Sequence, residues 1–241
     1  FTNLSHDHLD YHPTFAEYRD VKKSFFDFLP KTAFALSNGD DKNGAVMLQN
    51  TAATKRTYAL KSYADYKAII LENQLSGLLL KINDNEVWVK LIGTFNAYNL
   101  LAIYGTAIEL GLESLEVLRL LSELESVSGR FQFIVSAQNI TAIVDYAHTP
   151  DALDNVLNTI NDVRTQNEQL ITVVGCGGNR DKAKRPIMGG IASDKSDKAI
   201  LTSDNPRDEE PETIIEEMEA GVAPQNFKKI LVITDRKQAI K

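Results

Sequence analysis

Leu170-Ile171-Thr172-Val173-Val174-Gly175-Cys176-Gly177-Gly178-Asn179-Arg180-Asp181-Lys182-Ala183-Lys184-Arg185 is the stretch whose reading decides the fold. Leu170–Val174 is a short apolar, β-branched run of the kind that forms a buried strand. Gly175, Gly177 and Gly178 follow, where a backbone can turn tightly or approach a ligand closely. A helical pattern opens at Arg185 and runs to Ser193. Strand, glycine turn and helix in that order form the repeating unit of a parallel α/β sheet.

The same unit recurs on both sides. Ile140–Asp145, Lys198–Thr202 and Ile230–Ile233 read as further strands, and Pro150–Arg164 and Pro211–Ala220 as further helices. The expectation is a Rossmann-like α/β domain over residues 129–241. In such sheets ligands bind beyond the carboxyl ends of the strands. Three successive strand ends carry polar clusters. They are Asp145-Tyr146-Ala147-His148-Thr149-Pro150, the glycine turn with Arg180, Lys182, Lys184 and Arg185, and Ser203-Asp204-Asn205-Pro206-Arg207. One sheet edge would present all three, and that convergence argues for a site. Each cluster also has a plain reading, as helix caps, as a solvated basic face, or as a turn. Cys176 reads as a small buried side chain. The glycines do not form G-x-G-x-x-G, because Arg180 stands at the third glycine position.

Residues 1–128 have a different texture. Phe15, Tyr18, Val21, Phe25 and Leu29 recur at three- and four-residue steps, which predicts an amphipathic helix ended by Pro30. Ala33–Leu36, Ala45–Leu48, Thr57–Leu60, Gly77–Ile82 and Val87–Ile92 predict a small, mostly antiparallel sheet, with Asn83-Asp84-Asn85 as a hairpin turn. Asn96–Leu110 and Leu115–Leu124 predict two more helices. His8, with Asp7 and Asp10, could hold a metal, although no H-E-x-x-H or EF-hand pattern is present. Asn96 and Asn99, one helical turn apart, could read a base edge or cap their helix.

Composition narrows the class. The chain has 241 residues, with 26 Lys plus Arg against 33 Asp plus Glu, so its formal charge is −7. That disfavours nucleic acid as a partner. A single cysteine excludes a disulfide framework and a multi-cysteine zinc site. No apolar run approaches a membrane span. A cytoplasmic protein is expected. No Gly-Lys dipeptide occurs, so the phosphate loop of the Walker type is missing from these residues. Phe1–Leu4 and Lys229–Ile233 both read as strands at the chain's limits, and a fragment of a longer polypeptide is expected.

Taken in series, TNLSHDHLDYH, YRDVKK, GTFNAYN, SGRF, VDYAHTPDAL, GCGGNRDKAKRP and SDNPR resemble the Mur ligases, the ATP-dependent amino-acid ligases of peptidoglycan synthesis. The likeness is nearest to the branch that extends UDP-N-acetylmuramoyl-L-alanyl-D-glutamate, and it runs end to end. It implies the second half of a central ATPase domain over 1–128 and a truncated amino-acid-binding domain over 129–241. It implies ATP and Mg²⁺ as cofactors, UDP-MurNAc-L-Ala-D-Glu and meso-diaminopimelate as partners, and a monomer. By resemblance His8 binds magnesium, and Lys22 is carbamylated and acts through its carbamate; the Tyr18-x-x-x-Lys22 spacing favours it over Lys23. Asn96 and Asn99 meet adenine, Arg130 the phosphates and Asp145 the ribose, with Tyr146 and His148 beside the nucleotide. Arg180, Asp204, Asn205 and Arg207 hold the incoming diamino acid, with Lys182 nearby. Ser128 and Asn179 depart from the family's usual Pro and Asp. The other readings are an L-lysine-adding ligase, a folylpolyglutamate synthetase-like ligase, and a nucleotide-binding module without chemistry. A ligase missing its phosphate loop is expected to be inactive as this chain alone.

Overall fold

A computed structural model describes residues 1–5, 12–138 and 140–241. They form two compact units, Phe1–Val144 and Asp145–Lys241.

In the first unit, helix α1 (Phe15–Asp27) opens at Thr14, whose hydroxyl accepts the Glu17 N–H at 3.2 Å. Its buried side is Tyr18, Lys23 and Phe26, while Val21 and Phe25 are exposed. The buried stripe is therefore rotated from the one that hydrophobic spacing predicts. Strand β1 (Phe34–Asn38) follows, then the short helix α2 (Gly44–Met47) and strand β2 (Thr54–Ala59). The strand expected at Ala45–Leu48 is thus mostly helical. Asn43 N–H and its side-chain amide both donate to Asp41, and that local turn opens the helix.

Strands β3 (Tyr66–Gln74), β4 (Gly77–Ile82) and β5 (Asn85–Val89) complete a five-stranded sheet of order β1-β2-β3-β4-β5. The β3–β4–β5 half is antiparallel, with the expected turn at Asn83, φ +51°. The β1–β2–β3 half is parallel. Helix α3 (Thr94–Glu109) packs on this sheet so closely that a Cβ at Gly105 would lie 2.8 Å from the Tyr66 ring. Helix α4 (Ser114–Glu123) closes the core with Val117, Leu118 and Leu121 against Leu78, Leu80, Ile82 and Leu101. A hairpin of β6 (Gln132–Val135) and β7 (Thr141–Val144) ends the unit.

The second unit alternates as expected. Helix α5 (Pro150–Val163), strand β8 (Ile171–Val174), helix α6 (Lys184–Lys195), strand β9 (Lys198–Leu201), helix α7 (Pro211–Glu219), a 3₁₀ turn (Pro224–Lys229), strand β10 (Ile230–Val232) and helix α8 (Arg236–Ile240) follow in order. The sheet is wholly parallel, β10-β9-β8. Its core gathers Leu153, Leu157, Met188, Leu201, Ile215 and Met218. Among the described residues no helix is long and apolar enough to cross a membrane.

Candidate functional site

β8 and β9 run parallel, so the segments that follow them emerge at one edge. The glycine turn after β8 and the Ser203–Arg207 turn after β9 meet there. Gly178 N–H donates to the Asn205 carbonyl at 2.8 Å, and Arg207 Nη1 donates to the Gly178 carbonyl at 2.5 Å. Asn179 N–H donates to Glu209 Oε1 at 2.6 Å, and its side-chain amide to Asp208 at 2.8 Å. The approach is backbone to backbone: a Cβ at Gly178 would lie 1.8 Å from the Pro206 carbonyl oxygen. Only glycine fits there. Asn179 and Arg207 both sit at φ +51°, the left-handed region that non-glycine residues seldom adopt.

The end of β10 reaches the same edge. Arg236 Nε donates to the Ser203 carbonyl at 2.9 Å, and Nη1 lies 3.5 Å from Asp204 Oδ1. Sequence reasoning did not single out Arg236. Its signal was there: Thr234-Asp235-Arg236-Lys237 is a polar cluster at a fourth strand end.

The basic stretch after the glycines divides into two kinds of group. Arg180 and Arg207 are exposed. Arg185 is fully buried and engages Glu209 at 2.8 and 2.9 Å, Glu217 at 2.6 Å and the Gly177 carbonyl at 3.3 Å. Hydrogen bonds from Arg185 and from Asn179 N–H hold the Glu209 carboxyl far below the usual range. Lys182 pairs with Glu209 at 3.1 Å. Lys184 donates to the His148 carbonyl at 2.8 Å, which ties the segment before α5 to the start of α6. Burial pushes the Cys176 thiol up to about 11, so it is inert, as its small-side-chain reading expects.

The third predicted cluster does not follow a strand of this sheet, although Lys184 ties it to the start of α6 through the His148 carbonyl. β7, which leads into Asp145, pairs antiparallel with β6 and not with the β8–β9–β10 sheet. β6 lies only a short loop away in sequence, and closing that loop costs little entropy. Asp145 Oδ1 accepts the Ala147 N–H at 2.7 Å, and the Thr149 hydroxyl caps α5 through Ala152 N–H at 3.3 Å. Tyr146 and His148 are exposed with ring centroids 5.1 Å apart, and His148 Nδ1 lies 3.0 Å from the Tyr146 carbonyl.

In the first unit the structure brings Asn96 and Asn99 together, and a ring contact sets the Arg130 turn near the start of their helix. Asn96 Nδ2 donates to the Ile92 carbonyl at 2.8 Å, and Asn99 Nδ2 to Asn96 Oδ1 at 3.3 Å. The helix cap itself is Gly93 at φ +92°, so neither asparagine is the capping residue. Phe131, buried beside Arg130, packs on Phe95 at 5.8 Å between ring centroids, which sets the Arg130 turn by the first turn of α3. Tyr98, between the asparagines, donates to Asp40 at 2.8 Å. Asp40 also accepts the N–H groups of Leu60, Lys61 and Ser62 at 2.8–2.9 Å. Burial pushes its carboxyl up, but the Lys61 and Ser62 bonds and Tyr98 together hold it well below the usual range. Sequence reading missed Asp40, whose partners are 20 and more residues away.

Lys22 and Lys23 separate cleanly. Lys22 is exposed, with Nζ 5.1 Å above the Tyr18 ring, and lines a hollow of about 300 Å³ with Phe1, Thr2, Asn3, Phe25 and Phe26. Lys23 is buried and paired with Asp27 at 2.5 and 2.7 Å. His8 lies outside the described residues. Among the described residues no three His, Cys, Asp or Glu side chains come together as a metal cluster. A second hollow, of about 390 Å³ on α3, is lined by apolar groups such as Ile103, Leu110 and Leu112 and offers no chemistry.

Comparison with known proteins adds the family. Residues 1–107 match the Mur ligase middle domain, and residues 129–241 match the Mur ligase, glutamate ligase domain. The chain is 56% identical over its whole length to a UDP-N-acetylmuramoyl-L-alanyl-D-glutamate–2,6-diaminopimelate ligase of Cytophaga hutchinsonii and covers 49% of it. It is 58% identical to the protein of that name from Parabacteroides distasonis, covering 50%. The chain thus spans about half the length of the curated relatives it matches. A solved structure of such a ligase matches 99% of this chain and 50% of its own, at 37% identity and TM-score 0.60. MurF from Acinetobacter baumannii, at 16% identity and TM-score 0.77 over 99% of this chain and 51% of its own, shares the fold. On two matching domain models in the family's order and relatives identical at more than half of all positions, the chain belongs to the Mur ligase family.

Proposed function

We propose that the full-length protein is an ATP-dependent ligase that joins meso-diaminopimelate to UDP-MurNAc-L-Ala-D-Glu in peptidoglycan precursor synthesis, acting as a cytoplasmic monomer. The observation that carries this reading is the braced Ser203–Arg207 turn, which holds an exposed guanidinium at a strand-end edge. Diaminopimelate differs from lysine by a carboxylate at the far end of its side chain. A guanidinium has five N–H donors, so the Gly178 bond leaves Arg207 able to grip that carboxylate through two parallel bonds. Asp204 and Asn205 meet the ammonium groups, and Arg180 offers a second cation, with Lys182 alongside.

ATP phosphorylates the D-glutamyl carboxylate to an acyl phosphate. The amine of the diamino acid attacks the acyl carbon, an amide forms, and phosphate leaves. Asn96 and Asn99 present a chain of side-chain amides to the adenine, and Arg130 meets the phosphates. Asp145 meets the ribose, with Tyr146 and His148 beside the nucleotide. We place the domain boundary near Gly129, where the glutamate ligase domain match begins, although the β6–β7 hairpin clusters with the first compact unit.

Mg²⁺ wants hard oxygen donors, which an ammonium is not. The described residues therefore do not make a magnesium site as they stand. A carbamate on Lys22 would supply an oxyanion there, and His8 is assigned beside it by resemblance alone.

The test is direct. Purified full-length protein, ATP, Mg²⁺, UDP-MurNAc-L-Ala-D-Glu and diaminopimelate should yield the UDP-tripeptide, ADP and phosphate in equal amounts, read by mass spectrometry and phosphate release. ATP turnover without tripeptide would defeat the proposal.

A further inference from the structure

Among the described residues Arg185 is the most deeply buried cation. It is a fully buried guanidinium at the start of α6, where helices usually carry acidic groups. Burying a charge is costly unless its hydrogen bonds are met. Here its two Nη groups are met by Glu209 through two bonds, by Glu217 on α7, and by the Gly177 carbonyl, while the buried Nε has no partner among the described residues. Two of those three partners lie on the strand-end turns. Gly177 belongs to the turn after β8, and Glu209 stands two residues beyond Arg207. Glu209 closes the loop by accepting Asn179 N–H at 2.6 Å.

The braced residues also include one in an uncommon backbone conformation, Arg207. Arg207 holds φ +51°, which an arginine seldom adopts unless its surroundings fix it, and Asn179 holds the same φ, which asparagine tolerates. We propose that the buried Arg185–Glu209 pair is a specificity clamp: it locks the two turns against each other and so aims Arg207, setting amino-acid selectivity without touching substrate. Arg185 and Glu209 are positioning residues. This rests on the reading of Arg207 given above.

The experiment compares three forms of the full-length protein: wild type, Glu209→Gln and Asp197→Asn. Gln keeps the shape and the bond from Asn179 but loses the charge that orders Arg185. Asp197 pairs with Arg164 at 2.7 Å at the opposite end of β9, so its loss weakens the same sheet away from the turns. Glu209→Gln should raise KM for the preferred amino acid about tenfold or more, leave KM for ATP within about twofold, and reduce the diaminopimelate-to-lysine preference by about tenfold. Asp197→Asn should lower Tm with that preference intact. The clamp is overturned if Glu209→Gln discriminates as wild type does, or if both variants lose preference in proportion to lost Tm. Should wild type itself not prefer diaminopimelate, the substrate reading fails separately. The clamp is then judged on KM for the amino acid wild type does use.

Discussion

Lys22 and Lys23 differ by one step along α1, and the fold gives them opposite surroundings. Lys23 is buried against Asp27, and that pair holds its ammonium in place. Lys22 reaches a hollow beside Thr2 and Asn3, with room for a carbamate. A carbamate forms when the neutral amine attacks CO₂ and loses a proton, so an unpaired, accessible lysine is the better acceptor. Lys22→Ala in the full-length protein should therefore lower turnover by about 10²-fold or more, and added bicarbonate should not restore it. Lys23→Ala should instead cost about 1 kcal/mol of stability, read by urea unfolding, with turnover little changed. The reverse pattern would move the reactive lysine to position 23. Periodicity alone reads both lysines as solvated, and the preference for Lys22 comes from the Tyr-x-x-x-Lys spacing of the family it resembles. The buried Lys23–Asp27 pairing was not legible in the sequence, since an i,i+4 pair on an exposed face and on a buried one have the same spelling.

At the scale of elements, the helices read well and the sheets less so. The expected bounds of helices α3 to α7 hold within a residue or two. Strand β3 escaped notice, because its edge-facing half, Ile69 to Gln74, mixes apolar and charged residues and has no clean alternation. The pairing of β7 was illegible for another reason: an apolar run names a strand but not its partner. Arg185 reads in the sequence with Arg180, Lys182 and Lys184 as charge for an anionic ligand or as a solvated basic face, and the structure buries it instead. Its burial follows from how α6 and α7 cross, which spacing along the chain does not encode. That crossing is close. A Cβ at Gly189 would lie 2.0 Å from the Met218 carbonyl oxygen, and one at Gly221 1.8 Å from that of Pro186. Gly189→Ala must push the helices apart, and it should destabilise the protein by about 1–3 kcal/mol, read as a lower urea midpoint. An unchanged midpoint would show that the helices yield without loss.

For the whole molecule, the two units present two chemistries. The first gathers side-chain amides and Arg130 about the start of α3, over a sheet whose Asp40 anchors Tyr98. The second gathers cations and an acid at the open edge of a parallel sheet, where crossed turns hold them. A nucleotide suits the first arrangement and a zwitterionic amino acid the second. Under the proposed function, Arg207 recognises the distal carboxylate of diaminopimelate. The measurement that bears on it most directly is kcat/KM for diaminopimelate and for L-lysine, in the full-length protein and in its Arg207→Ala variant. A site built to pair a substrate carboxylate should reject lysine by about 10⁴-fold, and Arg207→Ala should collapse most of that ratio by losing diaminopimelate. Equal use of both amino acids by the wild type, or an Arg207→Ala variant that discriminates as well as its parent, would contradict the account.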